Sequence, residues 1–207
     1  MSDPFVIFGA GGHGKVVADA ARSAGIVVAW AIDDRVGIGD LLCCPVIDTT
    51  NPEWRKLDRF NFIVAVGDNA ARGRIVEHLR LKGGRPMSVV HPSAVVAPSV
   101  RLGAGTLVCA GAVVNPDSEI GENVIINTCA SVDHDCVVGA NVHLCPGVRL
   151  AGGVAVGAGS MIGLGSVVLP GLVIGEGCVV GAGSVVNRSL PPQVVAFGNP
   201  ARIRRSV

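Results

Sequence analysis

The sequence contains no tyrosine, and five phenylalanines and two tryptophans bring the aromatic share to only 3% of its 207 residues. A core without large rings must be assembled from valine, isoleucine, leucine and alanine. That suits a narrow regular stack better than an irregular globule. An excess of charge is also missing: the formal net charge is +1, so composition gives no electrostatic case for a nucleic-acid partner. No uncharged run of about 18 residues escapes interruption by glycine or proline, so no membrane helix is expected. The seven cysteines include no Cys-x-x-Cys pair, Cys43 and Cys44 are adjacent, and the five histidines are scattered, so neither a metal site nor a disulfide framework is indicated. The chain enters a strand-like run, Phe5-Val6-Ile7-Phe8, without a basic leader. With the odd cysteine count, this gives the expectation of a cytoplasmic protein with reduced thiols.

What is abundant is glycine, 29 residues of it, placed with a rhythm. From Val90 to Val186 an aliphatic residue recurs at every sixth position, through Val96, Leu102, Val108, Val114, Ile120, Ile126, Val132, Val138, Leu144, Leu150, Val156, Ile162, Val168, Ile174 and Val180. A run of that length excludes chance. Three residues after each stands a turn former such as Gly105, Asn123 or Gly159, and four after each a small or aliphatic residue such as Thr106, Ala112 or Ser160. A helix would smear a six-residue period around its surface. A simple strand alternation would not hold glycine and asparagine at one phase. A short strand followed by a tight turn, three times per coil, satisfies both features. The expectation is a parallel β-helix of hexapeptide repeats with a triangular section, about five coils between residues 88 and 190.

Residues 1–85 lack the period. Phe5–Phe8, Ile26–Ile32 and Phe62–Val66 read as strands, and Lys15–Ser23 and Ala70–Leu81 as helices, which implies a small parallel α/β unit of Rossmann-like type. The expected division is an α/β domain over 1–85 and a β-helix domain with a short tail over 86–207.

Candidate site residues follow from these two halves. Gly9, Gly11, Gly12, His13, Gly14 and Lys15 form a glycine-rich turn between a strand and a helix, where backbone N–H groups and the helix N-terminus favour a phosphate. Asp33 stands where a ribose-binding acid would, and Asp33 and Asp34 could equally close a strand end. Gly67 and Asn69 lie at the carboxyl end of another strand, where ligands of open α/β sheets collect. Arg72 follows one turn later, as a phosphate partner or a solvated side chain. In the β-helix, His134 falls at the outward corner phase, between Asp133 and Asp135, and is the candidate general base. His143 comes half a coil later and faces a different side. The two could meet only across neighbouring chains, which gives a geometric reason for a homotrimer with active sites between subunits. Cys136 is expected to point inward, unsuited to an acyl-enzyme.

Gly-Ala-Gly-Gly-His-Gly-Lys, Val-Gly-Asp-Asn, His-Pro-Ser-Ala, Asp-His-Asp-Cys-Val-Val-Gly and the Gly-Asn-Pro-Ala tail together resemble the bacterial sugar O- and N-acetyltransferases, most closely the PglD-type nucleotide-amino-sugar N-acetyltransferases. The resemblance spans essentially the whole chain. It implies a left-handed β-helix, nucleotide-sugar binding by the α/β domain over 1–85, and acetyl-CoA as donor, with no metal. The implied acceptor is the amine of a UDP- or GDP-linked 4-amino-4,6-dideoxy sugar. It also implies His134 as base supported by Asp135, His143 touching donor or substrate from the adjoining subunit, and Asn127 approaching the sugar. The Gly152 backbone would bond the thioester carbonyl, and coenzyme A would lie along Gly163, Leu164 and Ala182. Two other readings stand beside this one. The acceptor could be a hydroxyl of sialic acid or another surface sugar, or the protein could bind nucleotide sugars without catalysis.

Overall fold

The structure, a computed structural model, describes residues 3–35, 39–42 and 44–207, which leaves Cys43 outside the described residues. The first unit is a parallel sheet of five strands in the order β3-β2-β1-β4-β5. They are β1 (Phe5–Phe8), β2 (Val28–Asp33), β3 (Val46–Asp48), β4 (Phe60–Val64) and β5 (Gly84–Pro86). Helices α1 (Gly12–Ser23), α2 (Pro52–Arg55) and α3 (Asn69–Leu81) connect them.

Helix α1 starts inside the glycine-rich turn, three residues before the expected Lys15, because Gly11 already serves as its N-cap. Three short elements escape the sequence reading. β3 and α2 are three and four residues long, too short for any periodicity to show. β5 reads Gly-Arg-Pro, two poor strand formers tolerated here because it is an edge strand.

The two faces of the sheet have different partners. Val6, Phe8, Ile32, Phe62 and Val64 pack with Trp54, Val76 and Leu79 of α2 and α3. Phe5, Ile7, Ala31 and Ile63 pack with Val17, Ala20 and Ala21 of α1, and that cluster continues into Val89, Leu107, Cys109 and Ile125 of the following repeat. The α/β unit and the first coils therefore share one apolar core.

From Val89 to Val186 the chain winds through two-residue strands that pair with one another at a spacing of eighteen residues, for example Ser131 with Val113 and with Arg149. Three parallel sheets result, the sides of a prism. The second residue of each strand points in, and from Val108 to Val186 this whole series is buried. Every sixth residue from Gly105 to Gly183 has positive φ, including Asp117, Asn123, Cys129, Asp135 and Asn141. Buried hydroxyls stitch the coils. Thr106, Ser118, Ser160 and Ser166 each donate to a carbonyl fifteen residues on and accept an amide eighteen residues on. The hairpin Val194–Gly198 and Ala201–Ser206 extends the side that also carries His143.

One column of glycines (Gly103, Gly121, Gly139, Gly157 and Gly175) is dictated by stacking. A Cβ at Gly139 would stand 2.6 Å from the Ala158 nitrogen, an atom fixed in the next coil. Gly139→Ala is accordingly expected to destabilise the protein by about 1–3 kcal/mol through overpacking, read from the midpoint of chemical denaturation.

Candidate active site

The glycine-rich turn lies at the topological switch of the sheet, between β1 and β4. Gly9, at φ +104, approaches Ala65 so closely that a Cβ would stand 2.8 Å from its carbonyl oxygen, and at Gly14 a Cβ would stand 2.4 Å from the Gly9 oxygen. Those two glycines are required by packing. Gly12 has nothing within 4 Å, and Gly11 meets only the end of Arg35, so these two leave bare backbone to solvent. No acidic residue occupies the first turn of α1 and no side chain caps it, so its amides remain available to an anion.

Asp33 braces this turn. One carboxylate oxygen accepts from the Ala10 amide at 2.7 Å and Arg35 Nη2 at 3.0 Å, the other from the Arg35 amide at 3.0 Å and Nε at 2.8 Å. The Arg35 guanidinium and these bonds hold its carboxyl well below the usual range. With four donors already engaged, Asp33 acts on the turn itself, and exposed Asp34 is the free carboxylate at this strand end. Sequence reasoning missed Arg35, although a cation two residues after the acid was visible. Gly9, Asp33 and Asp34 line a cavity of about 650 Å³ together with Trp54, Arg74 and Lys82. The Lys82 ammonium sits 4.5 Å from the centre of the Trp54 ring. Lys15 is not brought into this cavity. It faces a separate recess of about 290 Å³ beside His91 and Thr128.

Below the turn, the α/β unit is fastened to the prism by Arg72, which is 1% exposed. The guanidinium carries neither of the roles expected for it. It donates to the carbonyls of Val66, Gly67, Asn123 and Asn141 and to the Asn69 side chain, with no carboxylate in ion-pair contact among the described residues. Burial lowers its pKa to about 10, so the charge persists at neutral pH. Asn69 is committed in the same way, its amide donating to Gly159 and Ser160 carbonyls at 3.0 and 3.1 Å. It docks the two units rather than presenting its amide to a ligand.

At that junction His143 meets His13, their ring centres 6.1 Å apart. Asn127 Oδ1 accepts from the Thr128 amide at 2.8 Å, which turns its Nδ2 toward His143 Nε2 at 3.1 Å. Nε2 is therefore the acceptor, and Nδ1 carries the hydrogen. Among the described residues His143 Nδ1 and His13 Nε2 are buried with no partner in good hydrogen-bond geometry, although the Gly67 backbone lies near enough to the His143 ring to offset a little of its desolvation. Desolvation and the Arg72 charge push the His143 pKa down to about 4 and that of His13 in the same direction. Both rings are neutral near physiological pH. Burial thus leaves His143 a neutral, weakly basic hydrogen-bonding group, and the Asn127 amide orients its ring.

His134 stands at a different corner of the prism, exposed. Its Nδ1 is 2.7 Å from Asp135 Oδ2. Asp135 reaches the ring because its own backbone is left-handed, φ 58. Asp133 does other work: it accepts the His134 amide at 2.9 Å and Asn115 Nδ2 from the preceding coil at 2.9 Å. Asn115 lies eighteen residues before Asp133, so the repeat itself could have pointed to it. The hydrogen bond that His134 Nδ1 donates to Asp135, and then the charge of Asp133, raise the His134 pKa. The imidazole lies over Gly152, where a Cβ would come within 2.6 Å of Cε1 and Nε2. Among the described residues the Gly152 amide has no acceptor. Cys136 is buried with Sγ 3.3 Å from the Ala151 carbonyl, and burial raises its thiol pKa, which removes it as a nucleophile.

Residues 4–79 match the PglD N-terminal domain and residues 117–152 the bacterial transferase hexapeptide (six repeats). Among solved structures, the chain is similar to perosamine N-acetyltransferase from Caulobacter crescentus, determined with CoA and GDP-perosamine. The identity is 44%, the TM-score 0.92, and 99% of this chain and 98% of that one are covered. The acetyltransferase domain of PglB from Neisseria gonorrhoeae FA1090, in complex with acetyl coenzyme A, shows 37% identity and a TM-score of 0.91, covering 99% of this chain and 100% of that one. The chain belongs to the PglD-type sugar N-acetyltransferases.

A UDP-N-acetylbacillosamine N-acetyltransferase of Bacillus subtilis (strain 168) is 39% identical over 110 residues, 50% of each chain, so the match spans about half of that curated relative. The fold of this chain is a Rossmann-like unit followed by a left-handed parallel β-helix. Among the described residues no helix is long and apolar enough to cross a membrane, and no histidine, cysteine or acidic cluster could hold a metal. Of the residues expected along the donor, Gly163 is required by stacking, since a Cβ would enter the backbone at Ala182. Leu164 and Ala182 are exposed on the corner that follows the His143 side, not on the His134 corner.

Arg72→Met would leave several buried carbonyls without a donor. The expected loss is roughly 2–5 kcal/mol. It should appear as earlier melting of the α/β unit and faster proteolytic cleavage between the two halves, with the β-helix melting last.

Proposed function

We propose that this chain transfers the acetyl group of acetyl-CoA to the amine of a UDP- or GDP-linked 4-amino-4,6-dideoxy sugar, with His134 as general base. The observation that carries the proposal is the His134 ring itself. Asp135 holds Nδ1, and Nε2 is free above the bare Gly152 backbone. A base so placed can take a proton from an amine as that amine attacks a carbonyl resting on the Gly152 amide. The new N–C bond forms as the C–S bond breaks. The proton passes to Nε2 and from there to the departing thiolate. No covalent enzyme intermediate is needed.

The nucleotide belongs in the cavity beside Gly9, with its phosphates on the free amides at Gly11, Gly12 and His13 and its sugar extending toward His13 and His143, whose unpartnered nitrogens would find their bonds there. Asp34 lines this cavity, as does Val66, the neighbour of Gly67. In one chain the His134 corner and the His143 side are different parts of the prism. A sugar held at His143 therefore meets a His134 supplied by a neighbouring chain, and a donor touching both His134 and Leu164–Ala182 lies between two prisms. This supports a homotrimer with three shared sites. Nucleotide sugar and acetyl-CoA are both cytoplasmic metabolites, in keeping with the expected location. The solved relatives support the substrate class, one with CoA and GDP-perosamine and one with acetyl coenzyme A.

The direct test incubates the purified protein with acetyl-CoA and a panel of UDP- and GDP-linked 4-amino-4,6-dideoxy sugars, with sialic acid as the hydroxyl control, and follows release of free thiol. Turnover with an amino sugar and none with sialic acid is expected; turnover with sialic acid alone would replace the amine by a hydroxyl acceptor. His134→Asn should lower kcat roughly 10²-fold or more.

The pH dependence has a definite sign. Only neutral His134 accepts a proton, so kcat/KM should fall as pH drops through a pKa raised above that of a free histidine. Asp135→Asn keeps a residue that tolerates the left-handed turn and removes the carboxylate. Its acid limb should move to lower pH, in parallel with a reduced plateau.

A further inference from the structure

The corner that carries His134 continues down the prism as a row spaced by one coil. Its positions are Pro98, Pro116, His134, Gly152, Pro170 and Arg188. The register is fixed by the pairing of Arg149 with Val167 and of Val167 with Val185, and by the amides of Gly153 and Gly171 donating to the carbonyls of His134 and Gly152. The last corner is two residues shorter than the others, since Leu190 pairs with Ile174 directly, and Ser189 Oγ accepts the Val173 amide at 3.0 Å. Arg188 follows Val186 as His134 follows Val132, which places it at the last corner on the same side of the prism.

The row has a graded chemistry. At the upper end is the imidazole. Below it Gly152 offers backbone only. The next stretch is apolar and open, with Leu169 and Val173 exposed on either side of Pro170. The row ends in a cation. Arg188 is exposed and makes no ion pair among the described residues, so its guanidinium is open to an anion. Three coil steps separate His134 from Arg188, about 14 Å at the spacing of paired strands. An amide donor, an apolar track and a guanidinium in that order match a thioester carbonyl, a slender pantetheine arm and a phosphate. We propose that Arg188 anchors a phosphate group of the acyl donor and thereby sets the donor's direction along the His134 corner. The inference rests on acetyl-CoA being the donor. It adds the residue that reads the nucleotide end of that donor, and it places the arm on this corner.

The test compares acetyl-CoA, acetyl-dephospho-CoA and S-acetylpantetheine as donors for the wild type, Arg188→Ala and Arg188→Lys, with CoA binding measured separately by calorimetry. Arg188 is exposed and outside the core, so these variants keep the fold. Arg188→Ala is expected to raise KM for acetyl-CoA roughly tenfold, the cost of one charge-assisted contact, with kcat unchanged. KM for S-acetylpantetheine should not move, and Arg188→Lys should recover part of the loss. A wild-type preference for acetyl-CoA over acetyl-dephospho-CoA that vanishes in Arg188→Ala assigns the contact to the 3′-phosphate; a preference that persists assigns it to the pyrophosphate. An unchanged KM for acetyl-CoA, or an equal rise for S-acetylpantetheine, overturns the anchor while leaving acetyl transfer standing. Failure of the wild type to bind CoA at all would overturn the donor itself.

Discussion

The register of eighteen residues between neighbouring coils governs the rest of this molecule. Once strands pair only with their equivalents above and below, any residue's chemistry depends on its phase and on what stands eighteen positions away. Asn115 reaches Asp133, Asn123 reaches Asn141 at 2.6 Å, and His134 comes to rest over Gly152 for this single reason. The buried hydroxyls that bridge coils make the register costly to slip, because a shift would leave them without partners in an apolar interior.

A second constraint sets the site's other half. Arg72 and Asn69 grip the carbonyls of Asn123, Asn141 and Gly159, which are the left-handed turn residues of three successive coils along one edge. The α/β unit therefore docks on a ladder with a fixed rung spacing. That docking carries the glycine-rich turn and His13 to within reach of His143. It also buries the two rings deeply enough to keep them uncharged, whereas His134 stays exposed beside two carboxylates, so the histidines differ in basicity. The protein separates them by burial, through desolvation at one position and carboxylates at the other.

Much of this was legible in the residues, and the limits have physical causes. The six-residue rhythm reports inward and outward directions, so it placed His134 on the surface and Cys136 in the core without a structure. The same rhythm could have yielded Asn115, because partners in a stacked coil are also periodic. It could not yield Arg72 or Asn69, whose contacts join segments more than fifty residues apart with no common period. An arginine in a helix looks alike whether it meets water or carbonyls. β3, α2 and β5 stayed hidden because pieces so short are stabilised by the sheet and its edge rather than by their own composition. Asp33 was found in place but with its oxygens turned inward on the glycine turn, a matter of two bonds that spacing alone does not reveal.

The left-handed turns of the rod are mostly glycine, yet from Asp117 to Asn141 five in succession carry side chains. Glycine would be the relaxed occupant of each of these positions. It would also be mute. The carboxylate that steadies the imidazole and the amide pair beneath the docking arginine both come from this strained run, so the middle of the rod trades backbone comfort for functional groups. Chemistry in this architecture is acquired by filling corners that would otherwise be empty, and the place to look for a new activity on the same scaffold is wherever glycine has been given up.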